Sequence, residues 1–133
     1  MSDWGLMTAA RTLWQEARGE PLSGQIAVAH VLKNRLKSGK WGDSIASVCL
    51  WRGQFSGWYV PRDPNFAGAC NLADDDPKLL ALAEIIKAAL ASTTDPTNGA
   101  THYYAPSIEP PPWISGATPC GQFGSQLFYK DVR

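Results

Sequence analysis

Two glutamates lie four residues apart in residues 13–21 (LWQEARGEP), at the end of an apolar segment. Side chains at this spacing share one face of an α-helix, with Cβ atoms about 5–6 Å apart. Paired carboxylates perform general acid–base chemistry on glycosidic bonds. Glu16 and Glu20 are therefore either a catalytic pair, or one catalytic acid beside a residue that ends a helix.

Glu16 is the better candidate for a catalytic acid. It lies near the C-terminal end of the apolar segment, beside Trp14 and Ala17. Apolar surroundings disfavour the charged form of a carboxyl and raise its pKa, as a general acid near neutral pH requires. The alternative is a surface glutamate that pairs with Arg11 or Arg18.

Glu20 lies between Gly19 and Pro21, which end the helix that would hold a catalytic pair in place. The two carboxylates of a retaining glycosidase must flank the scissile bond, whereas two side chains on one helical turn approach it from the same side. We therefore expect Glu20 to support the site by shaping the turn, as a cap for the next helix or in a pair with Arg18 or Arg35.

Two further segments could line a site. Residues 53–58 (GQFSGW) place polar groups between glycines and aromatic residues, a pattern that suits a sugar-binding loop but also an ordinary turn with a buried Phe. Residues 102–104 (HYY) could form a strand with one edge in a cleft, or a strand of core aromatic residues. The candidate supporting residues are Gln54, Phe55, Ser56, His102, Tyr103 and Tyr104.

Apolar spacing predicts the elements that must position these groups. Helices are expected at residues 4–18 and 23–38, from residue 43 or 44 to 50, and from 77 to about 92, with Ser23 and Asp76 as caps. Residues 51–73 are expected to be irregular, 95–99 to form a turn and 100–133 to form short strands. The chain is thus predicted to be a single helix-dominated α+β domain over residues 1–133.

Composition limits the partners. Twelve basic and twelve acidic residues cancel, whereas a chain that binds nucleic acid or an anionic membrane by charge carries a basic surplus. No apolar run approaches the ~18–20 residues that span a bilayer. We expect a monomer that needs no metal or other cofactor, with no nucleic acid partner and no membrane insertion.

The cysteines and one histidine receive structural interpretations. Cys49, Cys70 and Cys120 lack metal-type spacing. We interpret them as reduced, partly buried thiols; one disulfide with a spare thiol, or a nucleophilic cysteine, are the alternatives. His30 has apolar neighbours in a predicted helix and is interpreted as structural.

Four segments occur in an order that resembles a known family. Residues 16–36 (EARGEPLSGQIAVAHVLKNRL), 54–56 (QFS), 95–106 (DPTNGATHYYAP) and 128–129 (FY) resemble the cell wall hydrolase family of the spore cortex-lytic enzymes. The resemblance covers about residues 10–129. It implies a domain like lysozymes and lytic transglycosylases that cuts the glycan strands of peptidoglycan, with Glu16 as the catalytic acid. Residues 54–56 and 102–104 then correspond to the family's QFS loop and aromatic strand.

One acid suffices for such a reaction if the nucleophile belongs to the substrate. Glu16 would protonate the glycosidic oxygen between MurNAc and GlcNAc and then accept the proton of the MurNAc C6 hydroxyl as that oxygen attacks C1. A hydrolytic muramidase is the close alternative, which a second acid such as Asp63 would favour. More remote are a cysteine–histidine amidase that uses His102, and a glycan-binding module without catalysis.

The N-terminus lacks the basic start and apolar run of a signal peptide. The sequence also lacks the N-terminal peptidoglycan-binding repeat domain of the spore enzymes that it resembles. Together with the resemblance, these features lead us to expect a single-domain phage endolysin, made in the host cytoplasm and acting on the wall after the membrane is opened.

Overall fold

The computed structural model describes residues 3–51, 54–58 and 63–133. Within these residues, five α-helices precede a small sheet, so the prediction of a helix-dominated α+β fold is confirmed. The helices are α1 (Asp3–Ala17), α2 (Leu22–Ser38), α3 (Ile45–Leu50), α4 (Pro64–Asn71) and α5 (Pro77–Ala91). The strands are β1 (His102–Tyr104), β2 (Thr118–Phe123) and β3 (Gln126–Lys130).

Helix α1 is the central element and packs against the other four helices. Its buried face carries mainly small side chains, Ala9, Ala10 and Ala17, together with Leu13, and none of the four is more than 2% exposed. Small residues let neighbouring helices approach closely, and the larger core side chains come mainly from α2, α3, α5 and the sheet. The C-terminal turn of α1, which carries Glu16, is thus held from several sides.

The ends of the helices follow local chemistry, with one exception to the sequence prediction. Asp76 caps α5 by accepting the Lys78 N–H at 2.8 Å, as expected. Ser23 is not a cap, because α2 begins at Leu22 after Pro21. The Pro21 carbonyl accepts the first helical N–H groups, and the pyrrolidine ring holds φ at −62°, a helix-compatible value. The prediction of Ser23 as the N-cap is therefore wrong.

Helix α4 lies within residues 51–73, which were expected to be irregular. It begins as α5 does, with an aspartate before a proline: Asp63 accepts the Asn65 N–H at 2.8 Å and Pro64 takes the first turn. Eight residues are too few to display a helical period, but the Asp–Pro pair was a readable signal. The prediction of an irregular segment is wrong for this part.

The sheet is antiparallel with strand order β1-β3-β2. In the β1–β3 pair, His102 lies opposite Tyr129 and Tyr103 opposite Phe128. Alternate side chains of a strand point to opposite faces, and Phe128 is 1% exposed. Tyr103 therefore faces the helices together with Phe128, while His102 faces the other side.

The expected turn at residues 95–99 is confirmed, because the Asp95 carboxylate accepts the backbone N–H groups of Thr97 and Gly99. His30 is buried against this turn, with Nδ1 3.5 Å from Asp95 Oδ1. Burial lowers the pKa of His30. None of the helices in the described residues has the length and apolar content needed to cross a membrane.

Candidate active site

Glu16 and Tyr103 meet where the last turn of α1 faces the sheet. The Tyr103 hydroxyl donates to Glu16 Oε1 over 2.7 Å. Glu16 is partly buried. Tyr103 reaches it because the central residue of β1 points toward the helices. The structure thus joins two candidate site residues that lie 87 positions apart in the chain.

The pKa of Glu16 is raised, chiefly because burial disfavours its charged form. The hydrogen bond from Tyr103 and the positive charge of Arg35 oppose this shift, and the negative charge of Asp63 adds to it. A carboxyl that keeps its proton to a higher pH than usual, yet has groups ready to stabilise its anion, can both donate and accept a proton.

The neighbours of Glu16 differ from those expected from the sequence. The Trp14 ring carries the Arg18 guanidinium at 4.0 Å and lies against Gly68. Residues two apart in a helix do not share a face, and Trp14 packs toward Gly68 of α4 while Glu16 points toward Tyr103. The structure places Glu16 beside Tyr103 of β1.

The alternative of a surface glutamate paired with Arg11 or Arg18 is also not observed. Arg11 donates to Asp74 at 2.7 Å and to two backbone carbonyls. Arg18 donates to Asn65 at 2.6 Å.

Arg35 is a site residue that the sequence analysis named only as a partner of Glu20. It is 5% exposed, and its guanidinium lies between the rings of Trp41 and Phe55, at 4.7 and 5.3 Å. Nε donates to the Thr101 carbonyl at 2.8 Å and Nη1 to Gln54 Oε1 at 3.2 Å. It therefore ties α2 to the start of β1 and to the QFS loop.

The spacing of apolar residues contained a signal for Arg35. Val28 and Leu32 belong to the buried stripe of α2, and Arg35 continues it at the next helical position. Lys33 and Lys37 lie two residues on either side of Arg35, so the segment resembles a basic, solvent-exposed helix end. An arginine on the apolar stripe was the informative feature.

The QFS loop borders the site. Phe55 is 3% exposed and Gln54 is exposed, so the buried aromatic residue and the outer polar group are separate residues. Ser56 begins a short 3-10 turn, but its side chain lies outside the described part of the chain. Gly57 is buried against Gln15, whose Oε1 would overlap any β-carbon at this position. The loop is thus packed on α1 directly before Glu16.

His102 and Tyr104 lie on the sheet face opposite Tyr103. His102 contacts the rings of Trp41 and Trp113 at centroid distances of 5.8 and 5.0 Å, and the Trp113 ring continues to Tyr104 at 6.0 Å. Burial, and then the charges of Arg35 and Lys40, lower the pKa of His102 to about 4. His102 is therefore neutral near pH 7, in a cluster of rings beside Trp41.

Glu20 is bound to the β2–β3 turn. Its carboxylate accepts the Ser125 N–H at 2.8 Å and the Ser125 hydroxyl at 2.7 and 2.9 Å. Gly124, with φ +62°, lets the turn approach this carboxylate. The expected partners of Glu20, a helix cap or an arginine, are wrong, and the carboxylate binds a hairpin instead.

The three cysteines differ in exposure: Cys49 is buried, Cys120 is half-buried, and Cys70 is exposed rather than partly buried as expected. All three lie in the described residues and none is in a disulfide. Burial raises the pKa of Cys49 to about 12, so its thiolate is scarce at neutral pH. In His102, the candidate histidine partner of a catalytic cysteine, Nδ1 lies 2.9 Å from the Thr101 hydroxyl. Within the described ranges, no group of acidic, histidine or cysteine residues could hold a metal ion.

The chain is a helix-dominated α+β domain of the lysozyme-like class, with the Glu16 carboxyl between the end of α1 and a small sheet. More particularly, the chain belongs to the cell wall hydrolase family, whose profile matches residues 19–129. The family predicted from the ordered motifs is thereby confirmed. The matched region starts three residues after Glu16.

Curated relatives extend the similarity over most of the chain. The chain is 29% identical over 127 residues to the spore cortex-lytic enzyme of Halalkalibacterium halodurans, a match that covers 96% of the chain and thus includes Glu16. It is 30% identical over 119 residues, 90% of the chain, to the spore cortex-lytic enzyme of Bacillus subtilis. The chain spans about a third of these relatives, 35% of each.

Two solved structures share the fold. The catalytic domain of the germination-specific lytic transglycosylase SleB from Bacillus anthracis matches with a TM-score of 0.77 and 25% identity, covering 98% of this chain and 97% of that one. The catalytic domain of Bacillus cereus SleB matches with the same score and identity, covering 97% and 91%. These matches confirm the expected fold.

Proposed function

We propose that this chain is a lytic transglycosylase that cleaves the glycosidic bond between MurNAc and GlcNAc in peptidoglycan. The observation that carries the proposal is the Glu16 carboxyl, whose pKa is raised by burial and whose oxygen accepts the Tyr103 hydroxyl. Membership of the cell wall hydrolase family and the fold shared with a domain described as a lytic transglycosylase support it.

The reaction needs one group that gives a proton and then takes one. Protonated Glu16 donates to the glycosidic oxygen, the bond to MurNAc C1 breaks, and the GlcNAc side leaves as an alcohol. The Glu16 carboxylate then accepts the proton of the MurNAc C6 hydroxyl as that oxygen bonds to C1. The product is a 1,6-anhydro sugar, Glu16 is protonated again, and no water is consumed. Tyr103 and Arg35 stabilise the carboxylate between the two steps.

A hydrolytic muramidase is the second candidate, and Asp63 is the observation that favours it. Its negative charge acts on Glu16, so a second carboxylate lies near the acid. Asp63 also accepts the Asn65 N–H as the cap of α4, a structural role that accounts for its position. In a hydrolase it would activate a water or attack C1 itself.

Mass spectrometry of the soluble products from purified sacculi tests both candidates. We expect anhydro-muropeptides from the native chain and from Asp63→Asn, and none from Glu16→Gln. Products heavier by one water, lost in Asp63→Asn, would replace the transglycosylase with a muramidase. Release of stem peptides would contradict both, and binding to sacculi without any product would indicate a glycan-binding module.

The proposed setting is lysis of a bacterial host by a monomeric phage endolysin, made in the cytoplasm and acting on the wall after the membrane is opened. The equal numbers of acidic and basic residues support the absence of charge-driven membrane binding. Cytoplasmic expression in a bacterium with a matching wall should leave cells intact until the membrane is permeabilised, and only native chain, not Glu16→Gln, should then lyse them. Lysis without permeabilisation would contradict this setting.

A further inference from the structure

We propose that Arg35 is the positioning residue of this site: its buried guanidinium is the positive charge against which Glu16 releases its proton, and its Nη1–H orients the Gln54 amide toward the glycan. This inference rests on the proposed role of Glu16. Arg35 is proposed to act without touching the scissile bond. Among the described residues, it forms no hydrogen bond to Glu16.

The burial of Arg35 is the first step. A buried charge is costly unless it is paired, yet the ion pairs formed among the described residues do not include Arg35. Its guanidinium is instead held by the Thr101 carbonyl, the Gln54 amide oxygen and the faces of two aromatic rings. These contacts fix its place without neutralising it. A cation maintained in this way can act on a neighbouring group.

Glu16 is the carboxylate on which this charge acts. Arg35 donates to the carbonyl of Thr101, two residues before Tyr103, and the Tyr103 hydroxyl donates to Glu16. The charge of Arg35 lowers the pKa of Glu16, whereas burial lowers the pKa of Arg35 and the nearby Glu16 opposes that shift. Burial keeps the other two acidic neighbours of Arg35, Tyr103 and Cys49, protonated at neutral pH.

The remaining charged and titratable groups around Glu16 do not replace Arg35. Asp63, which precedes α4, opposes the Glu16 anion with its own negative charge. His102 on β1 is neutral, with a pKa of about 4. Arg35 is thus the cation, within the described residues, that stabilises the Glu16 anion after the proton has been donated.

Gln54 shows the second effect of Arg35. A guanidinium has only donors, so it must face the oxygen of the Gln54 amide and never its nitrogen. The Gln54 NH₂ is then directed away from Arg35, and the side chain is exposed. An outward amide donor at the border of the site suits an acceptor oxygen of the glycan, such as an N-acetyl carbonyl.

The test is the pH dependence of muropeptide release from purified sacculi, measured at several substrate concentrations. The alkaline limb of the pH–rate profile, where the rate falls as the pH rises, reports loss of the Glu16 proton. Arg35→Met removes the charge, so Glu16 keeps its proton longer and the limb should move up by about one pH unit. The maximal rate should fall about tenfold, because the Glu16 anion is less stable. Lys37→Met removes a cation from the same helical turn and should leave the limb in place.

Gln54→Glu keeps Arg35 in place and provides a route that does not depend on the folding of Arg35→Met. The new carboxylate would pair with Arg35, cancel its charge and move the limb upward. Gln54→Leu removes the amide without adding charge. It should leave the limb in place and raise the substrate concentration for half-maximal rate severalfold.

The outcomes separate this inference from the proposed function. If Glu16→Gln is inactive and the native chain releases anhydro products, but Gln54→Glu and Gln54→Leu share one alkaline limb, the role of Arg35 is wrong and the transglycosylase stands. An unchanged limb in folded Arg35→Met has the same meaning. If the native chain yields no anhydro product, the proposed function itself fails.

Discussion

The two glutamates at the α1–α2 junction have the same side chain and lie one helical turn apart, yet their surroundings give them different uses. Glu16 remains on the helix, partly buried, with the Tyr103 hydroxyl at 2.7 Å. Glu20 lies beyond the helix end and accepts both the N–H and the hydroxyl of Ser125. We infer from the comparison that desolvation of the carboxyl and the number of its donors, rather than residue type or spacing, separate the proposed proton carrier from the proposed anchor.

The surroundings of Glu16 and Glu20 are nevertheless connected by a series of contacts through the sheet. Glu20 holds the β2–β3 turn, β3 carries Phe128, and Phe128 lies opposite Tyr103 with ring centroids 5.3 Å apart. Tyr103 in turn donates to Glu16. We therefore expect Glu20 to support the site through the sheet, and the connection predicts how far a change at one glutamate affects the other.

Of these variants, Glu16→Gln should lower the activity most. At the higher pH it should nevertheless raise the stability of the fold relative to the native chain. Loss of a general acid costs about a thousandfold in rate. The folded-state pKa of Glu16 is raised, so the native chain binds more protons than the unfolded chain between the two pKa values, and its stability falls as the pH rises through that window. The glutamine variant lacks this dependence. Urea unfolding at pH 4 and pH 8 should show the variant gaining stability relative to the native chain at the higher pH. A variant equally destabilised at both pH values would contradict the burial of Glu16.

Tyr103→Phe should have an intermediate effect. It removes the hydroxyl that stabilises the Glu16 anion and preserves the ring that packs on Phe128. The pKa of Glu16 should rise further, because the hydrogen bond from Tyr103 lowers it, and the alkaline limb of activity should move up. Loss of one hydrogen bond costs about 1 kcal/mol, measurable as a shift of the urea midpoint. An unmoved limb would show that Tyr103 serves only as packing.

Much of this arrangement was readable from the sequence where local chemistry decides it. Asp76 and Pro77 start α5, and Gly39, with φ +74°, ends α2 as expected. Ser23 was misread, since Pro21 provides a start that needs no side-chain cap. Helix α4 was missed because eight residues show no period, although its Asp–Pro start repeats that of α5.

The site was less accessible than the fold, because its groups come from distant segments. The sequence indicated Glu16 because this residue lies at the end of an apolar helix. Its partners depend on which face of β1 points inward, and this orientation is set by the register of β1 with β3. Arg35 resembled a surface residue among lysines until the packing of α2 placed it between two rings. Long-range packing determines such contacts. Spacing along α2 could indicate that Arg35 is buried, but not which groups it contacts.

The smallest expected effect concerns the anchor itself, and a double-mutant cycle measures it. Glu20→Ala and Ser125→Ala should each destabilise the fold by about 1 kcal/mol, and the pair together by less than the sum. Both remove the hydrogen bonding between the Ser125 hydroxyl and the Glu20 carboxylate, whereas the bond from the Ser125 N–H is lost only with Glu20. Muropeptide release should fall less than tenfold in each, with the alkaline limb unmoved, since the Glu16 surroundings change only through the sheet. Additive effects would mean that Glu20 and Ser125 act independently. A loss of activity as large as that of Glu16→Gln, in a folded variant, would make Glu20 a catalytic partner and end the distinction between the two glutamates.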